Sequence, residues 1–161
     1  MEVITPPNFY STTNFTVFVG GTIDMDTAAK WQDPFMENFK DYEVTFFNPR
    51  RADYNPKWPQ DPTFGTPFNR QVVWEIISQD KVDLIIYNLL PGSISPITLM
   101  EIGAFGALYP KKVIVCAPRT YDRYGNVKLF QQRFNFTLVE SEEALVKETH
   151  RALRSANVPR K

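Results

Sequence analysis

Apolar and polar positions fall along this chain in blocks of two kinds. Short runs dense in β-branched and aromatic residues read as buried strands: "FTVFVGG" (Phe15 to Gly21), "YEVTFFNP" (Tyr42 to Pro49), Val82 to Leu89, "KVIVCAP" and "NFTLVE". Longer stretches between them carry helical spacing, at roughly Asp26 to Lys40, Asn69 to Asp80, "SPITLMEIGAFGALY", Val127 to Phe134, and Ser141 to about Ser155. Pro34 predicts a kink or a late start in the first of these. Ser95 followed by Pro96 is a helix-start signal, with serine as N-cap and proline at the first helical position. Strands alternating with helices predict an α/β fold, a mostly parallel sheet of five strands with helices on both faces. Ligands of such folds sit at the carboxyl ends of the strands, here the loops after Gly21, Asn48, Leu89 and Pro118.

One segment breaks the alternation. Pro49, Pro56, Pro59, Pro62 and Pro67 exclude regular helix and central strand between them. Tyr54, Trp58 and Phe64 in the same segment argue for an ordered loop, because that much aromatic surface favours burial. It reads either as an aromatic lid or as a rigid loop covering the core.

Composition narrows the class. At 161 residues, 43% hydrophobic and 22% charged, the chain suits a single globular domain over 1–161, with residues 1–13 a loosely ordered N-terminal extension. Lys and Arg number 18 against 18 Asp and Glu, so no basic excess points to a nucleic-acid partner. One cysteine makes no internal disulfide, and Cys116 sits in an apolar run as a small core residue. The single His150 cannot build a metal site with it, so no metal is expected. No signal peptide is visible at the N-terminus, and the longest apolar run is about half the ~20 residues of a membrane span. The expectation is a cytoplasmic protein with no membrane association.

Glu101 is the outstanding candidate residue. It is the only charge from Ile94 to Tyr109, in a helix apolar on nearly every face. Ionised carboxylates are rarely buried without a partner or a purpose, so it is either a functional group or one half of an ion pair. Gly103 and Gly106 let that helix approach the sheet, which serves packing equally well. Gly20 and Gly21 end the first strand where a nucleotide fold places its ligand, yet a tight turn accounts for them too, and the three-glycine dinucleotide fingerprint is absent. Glu75, beside Trp74, either faces the same crevice or is an ordinary exposed helix glutamate. Asp83 opens a buried strand and reads as a turn cap.

Taken in order, "VFVGGTI", "NPRR", "QVVWE", "SPITLMEIG" and "YDRYGN" resemble the nucleoside 2-deoxyribosyltransferase family, over about Phe15 to Asn126. The resemblance implies a flavodoxin-like doubly wound sheet, a homo-oligomer with shared active sites, and transfer of 2-deoxyribose from a deoxynucleoside to a free nucleobase. It places Glu101 at the family's nucleophile and Glu75 at the carboxylate that contacts the base. Gly21, Thr22 and Ile23 take the place of the loop lining the base pocket. Asn126 matches an asparagine that reaches a neighbouring subunit's sugar. No cofactor is implied. Ser95 departs from the aspartate that transferases often carry six residues before the nucleophile, and resembles related deoxynucleoside-monophosphate glycosidases. Three readings therefore stand: a transferase, a hydrolase of deoxynucleoside 5′-monophosphates with phosphate contacts from Arg50, Arg51 and Arg123 beside Ser95, and a non-catalytic nucleotide-binding module of the same fold.

Overall fold

The computed structural model describes residues 1–8, 12–23, 28–55 and 57–161. Its strands are β1 (Glu2–Ile4), β2 (Phe15–Gly21), β3 (Val44–Phe47), β4 (Leu84–Asn88), β5 (Val113–Cys116) and β6 (Thr137–Val139). Its α-helices are α1 (Gln32–Glu37), α2 (Pro67–Lys81), α3 (Pro96–Leu108), α4 (Tyr124–Phe134) and α5 (Glu142–Ser155). The strands form one sheet in the order β1-β3-β2-β4-β5-β6, every pairing parallel. Without its outermost strand β1, that order is the doubly wound flavodoxin-like one.

The sheet has six strands rather than the expected five, and the added one lies within the segment expected to be loosely ordered. Val3 pairs with Phe46, Asn48 N–H donates to the Ile4 carbonyl at 2.9 Å, and the chain's terminal ammonium donates to the Tyr42 carbonyl at 3.1 Å. A three-residue edge strand is held by backbone bonds and one buried side chain, Ile4, so it leaves almost no hydrophobic pattern to read.

Side chains alternate across the sheet, as the period of two requires. Phe18, Ile85, Tyr87, Val113 and Val115 pack with Trp74 of α2, Ile102 and Phe105 of α3, and Val127 of α4. Val17, Val19, Leu84, Ile86, Ile114 and Cys116 pack with Trp31, Phe35 and Met36 around α1, and with Leu145 and Leu153 of α5. Burial pushes the Cys116 thiol up to about 12, which leaves it an inert core group. Asp83 does tie a strand start, its Oδ2 accepting from both the N–H (2.9 Å) and the hydroxyl (2.7 Å) of Thr16.

The first helix is shorter than its pattern suggested. It runs only Gln32–Glu37, the late start that Pro34 foretold, with the proline in a first turn whose N–H groups lack partners anyway; Asp26 lies outside the described residues. In contrast α4 begins early, at Tyr124, and takes Asn126 into its first turn. No helix among the described residues is long and apolar enough to cross a membrane. The sheet's strand order reverses between β2 and β4, so the crevice opens where Gly21 pairs with Asn88.

Candidate active site

At that crevice Gly21 has φ +141°, and a Cβ there would lie 2.3 Å from the Asn88 carbonyl. The close approach of β2 and β4 alone demands the glycine. Thr22, wholly buried, extends the ladder by donating its N–H to the Asn88 carbonyl at 2.9 Å. Its hydroxyl is a hub: it accepts from Leu90 N–H at 3.0 Å and shares hydrogen bonds with Ser93 (2.9 Å) and Ser95 (2.8 Å). Ile23 follows at the edge of the described stretch, partly buried.

Ser95 stands at the N-cap of α3 but makes no side-chain cap, contrary to its expected role. Its φ of 43° turns the hydroxyl back onto Thr22 and Ser93, which fixes the turn between β4 and α3. The Thr98 hydroxyl then donates to the Gly21 carbonyl at 3.0 Å, pinning the first turn of α3 to the end of β2. Glu101, three residues later on the same face, is carried into the seam between α3 and α2.

From α2 a row at i, i+4 and i+8 meets it: Gln71, Glu75 and Gln79. Gln71 donates to Glu75 Oε1 at 2.7 Å and to the Pro49 carbonyl at 3.0 Å, tying the root of the proline-rich segment to this carboxylate. Gln79 donates to Glu101 Oε1 at 2.7 Å and accepts from the Tyr87 hydroxyl of β4. Burial raises Glu101 to about 8, with the Glu75 charge adding to the rise and the Gln79 bond opposing it. Burial likewise raises Glu75 to about 7, against the Gln71 bond. Two carboxyl groups pushed up together hold about one proton between them near neutral pH. Such a pair can both give a proton and present a carboxylate.

Asn126 lies elsewhere in the chain. It is exposed on α4 and borders a groove of about 370 Å³ between α3 and α4, beside Leu99, Gly103, Arg123 and Phe130. Neither Glu75 nor Glu101 lines that groove. Its aromatic neighbours divide: Tyr121 is buried in its own domain and donates to the Ile94 carbonyl at 3.0 Å, whereas Phe130 is 45% exposed. The proline-rich segment is an irregular loop in which Tyr54 meets Trp58 edge-on at 5.5 Å and Arg51 lies 5.6 Å over Trp58. Phe64 is 96% exposed, against the expectation that these aromatics would be buried. Among the described residues no group of three His, Cys, Asp or Glu side chains converges as a metal site.

Comparison with known proteins gives the family. A profile of the family described as nucleoside 2-deoxyribosyltransferase like matches residues 14–121. The chain belongs to that family. The match takes in Gly21, Thr22, Ile23, Glu75, Ser95 and Glu101 and stops short of Asn126. No curated protein matches this nucleoside 2-deoxyribosyltransferase-like chain. Among solved structures it is similar to a conserved protein from Enterococcus faecalis V583, at TM-score 0.59 and 15% identity over 86% of this chain and 98% of that one. That likeness is one of fold.

Sequence reasoning missed Gln71, Gln79, Tyr87 and Thr98, which shape the carboxylate pair. The signal was the row of two glutamines flanking Glu75 at four-residue spacing, a polar stripe on a helix that otherwise buries Trp74.

Proposed function

We propose that this protein is a nucleoside 2-deoxyribosyltransferase, with Glu101 as nucleophile and Glu75 as the proton donor or relay. The observation that carries the reading is the pair of partly buried carboxyl groups with raised pKa values, set in the seam between α2 and α3. A proton passes from the pair to the leaving nucleobase as the bond from C1′ to nitrogen breaks. Glu101, now a carboxylate, bonds to C1′ through an oxocarbenium-like transition state. Both groups are raised into the same range, so the shared proton can sit on either carboxyl, on Glu75 when Glu101 is to attack. The acceptor base then attacks C1′, returns its proton to the pair and frees Glu101. No step needs a cofactor.

Gly21, Thr22 and Ile23 would border the base at the switch point; Thr22 and Ser95 act there through the turn their hydroxyls fix. The proline-rich segment, anchored to Glu75 through Gln71, would keep water from the glycosyl-enzyme with Trp58 and Phe64. Shared sites in a homo-oligomer are supported by the exposed apolar residues Ile97, Met100 and Leu108 on α3 with Leu129 and Phe130 on α4. A helix apolar on all sides needs cover, and Asn126 borders this patch, positioned to serve a neighbour's sugar.

The hydrolase reading draws less support. Arg50 donates to the Ala28 (3.0 Å) and Ala29 (3.1 Å) carbonyls, and Arg51 pairs with Asp53 at 2.5 Å, while the Ser95 hydroxyl is engaged with Thr22. Mixing the protein with deoxyuridine and adenine tests the proposal: deoxyadenosine is expected, and free deoxyribose as the sole product overturns it. Thymidine monophosphate cleaved about tenfold better than thymidine, a gap of ~1.4 kcal/mol, replaces the transferase with the glycosidase.

A further inference from the structure

We propose that Gln79 is the positioning residue of Glu101: its amide, oriented by Tyr87, holds Glu101 Oε1 and leaves Oε2 as the attacking oxygen. This rests on the role proposed for Glu101. Gln79 is wholly buried, and every polar site on its amide is used. Nε2 donates to the Glu75 carbonyl at 3.2 Å and to Glu101 Oε1 at 2.7 Å, while Oε1 accepts from the Tyr87 hydroxyl. Turning the amide over would set its oxygen against the Glu75 carbonyl, acceptor facing acceptor, so the orientation is fixed in either ionisation state of Glu101. Tyr87, wholly buried and held neutral by that burial, remains a donor. Among the described residues Glu101 Oε2 makes no hydrogen bond.

The consequence is directional. An N–H donor favours the carboxylate over the acid, so Gln79 opposes both the burial of Glu101 and the charge of Glu75. Among the described residues the titratable groups that face Glu101 are Glu75 from α2 and Tyr87 from β4. A buried glutamine bridging α2, α3 and β4 would also hold the helices together, and a purely structural role would leave the titration of Glu101 where it is.

Carbon-13 NMR of protein labelled at the glutamate carboxyl carbon separates the two, with the Glu101 signal identified by its loss in Glu101→Gln. In Gln79→Met the Glu101 midpoint is expected to rise by about one unit. The alkaline limb of kcat, which lies at the Glu101 value, should move the same way, with kcat down about tenfold and KM within about twofold. Tyr87→Phe keeps the glutamine but frees its amide, and should shift the midpoint in the same direction by less. A Glu101 midpoint unchanged in folded Gln79→Met overturns the proposal; if that variant does not fold, an unchanged midpoint in Tyr87→Phe does so. Wild-type protein that neither transfers nor releases deoxyribose defeats the functional reading instead, and the titration still decides what Gln79 does to Glu101.

Discussion

Replacing Glu101 by glutamine should stabilise the protein increasingly as pH rises from about 5 to about 8. The folded state raises this carboxyl from its ordinary 4.5 to about 8. Between those values the native protein binds more protons than the unfolded chain, so its stability falls as pH rises through the window. At ~1.4 kcal/mol per unit the full rise bounds the loss at about 5 kcal/mol. Water reaches the partly exposed side chain and screens its charge, so about 2–3 kcal/mol is expected. Glutamine matches the protonated acid in size, and its amide oxygen can accept the Gln79 bond. The assay is urea unfolding followed by tryptophan fluorescence, since Trp74 and Trp31 are buried in the two core layers. At about pH 5 wild type and variant should unfold at similar midpoints; at about pH 9 the variant should be the more stable by that margin. An equal difference at both pH values would refute the assignment of a raised pKa to Glu101.

The rate of glycosyl transfer should be bell-shaped in pH, with limbs near the pair's values of about 7 and about 8. Below the first limb the nucleophile is protonated, above the second no proton remains for the leaving base, and a flat profile over this range contradicts the pairing. Mixing inactive Glu101→Ala chains with inactive Asn126→Ala chains should partly restore activity by subunit exchange; a mixture that stays dead after verified exchange, or an active monomer in sedimentation, rejects shared sites. Gly21→Ala forces a Cβ to 2.3 Å from the Asn88 carbonyl at φ +141° and should cost about 2–4 kcal/mol in a denaturant melt. A loss under about 0.5 kcal/mol would show that the strand ends do not approach so closely.

Elements with a continuous apolar signature were legible from sequence. Strands β2 to β6, the helices on both faces, the buried Cys116 and the isolated charge of Glu101 all follow from hydrophobic period and composition. Features that rest on single contacts were not legible. β1 is defined by backbone pairing with β3, which no side-chain pattern announces. Ser95 carries a strong helix-start signature, yet a network of three hydroxyls outcompetes the local cap and places it at positive φ. Asn126 fell just before the helix expected from Val127, but α4 starts early enough to absorb it. Phe64 failed the rule that aromatic surface seeks cover, since its loop offers none. Gln79 drew no notice because a helix glutamine is ordinarily a surface residue, and only the packing of α2 against α3 and β4 gives it three buried partners.

The central claim is that Glu101 forms a covalent bond to the sugar. Incubating the protein with a deoxynucleoside in the absence of acceptor base, quenching in acid and mapping the peptides by mass spectrometry tests it directly. A deoxyribosyl unit attached to the peptide carrying Glu101, absent in Glu101→Gln, is the predicted result. Steady turnover with the adduct on another residue, or with no adduct at any quench time, would contradict the account.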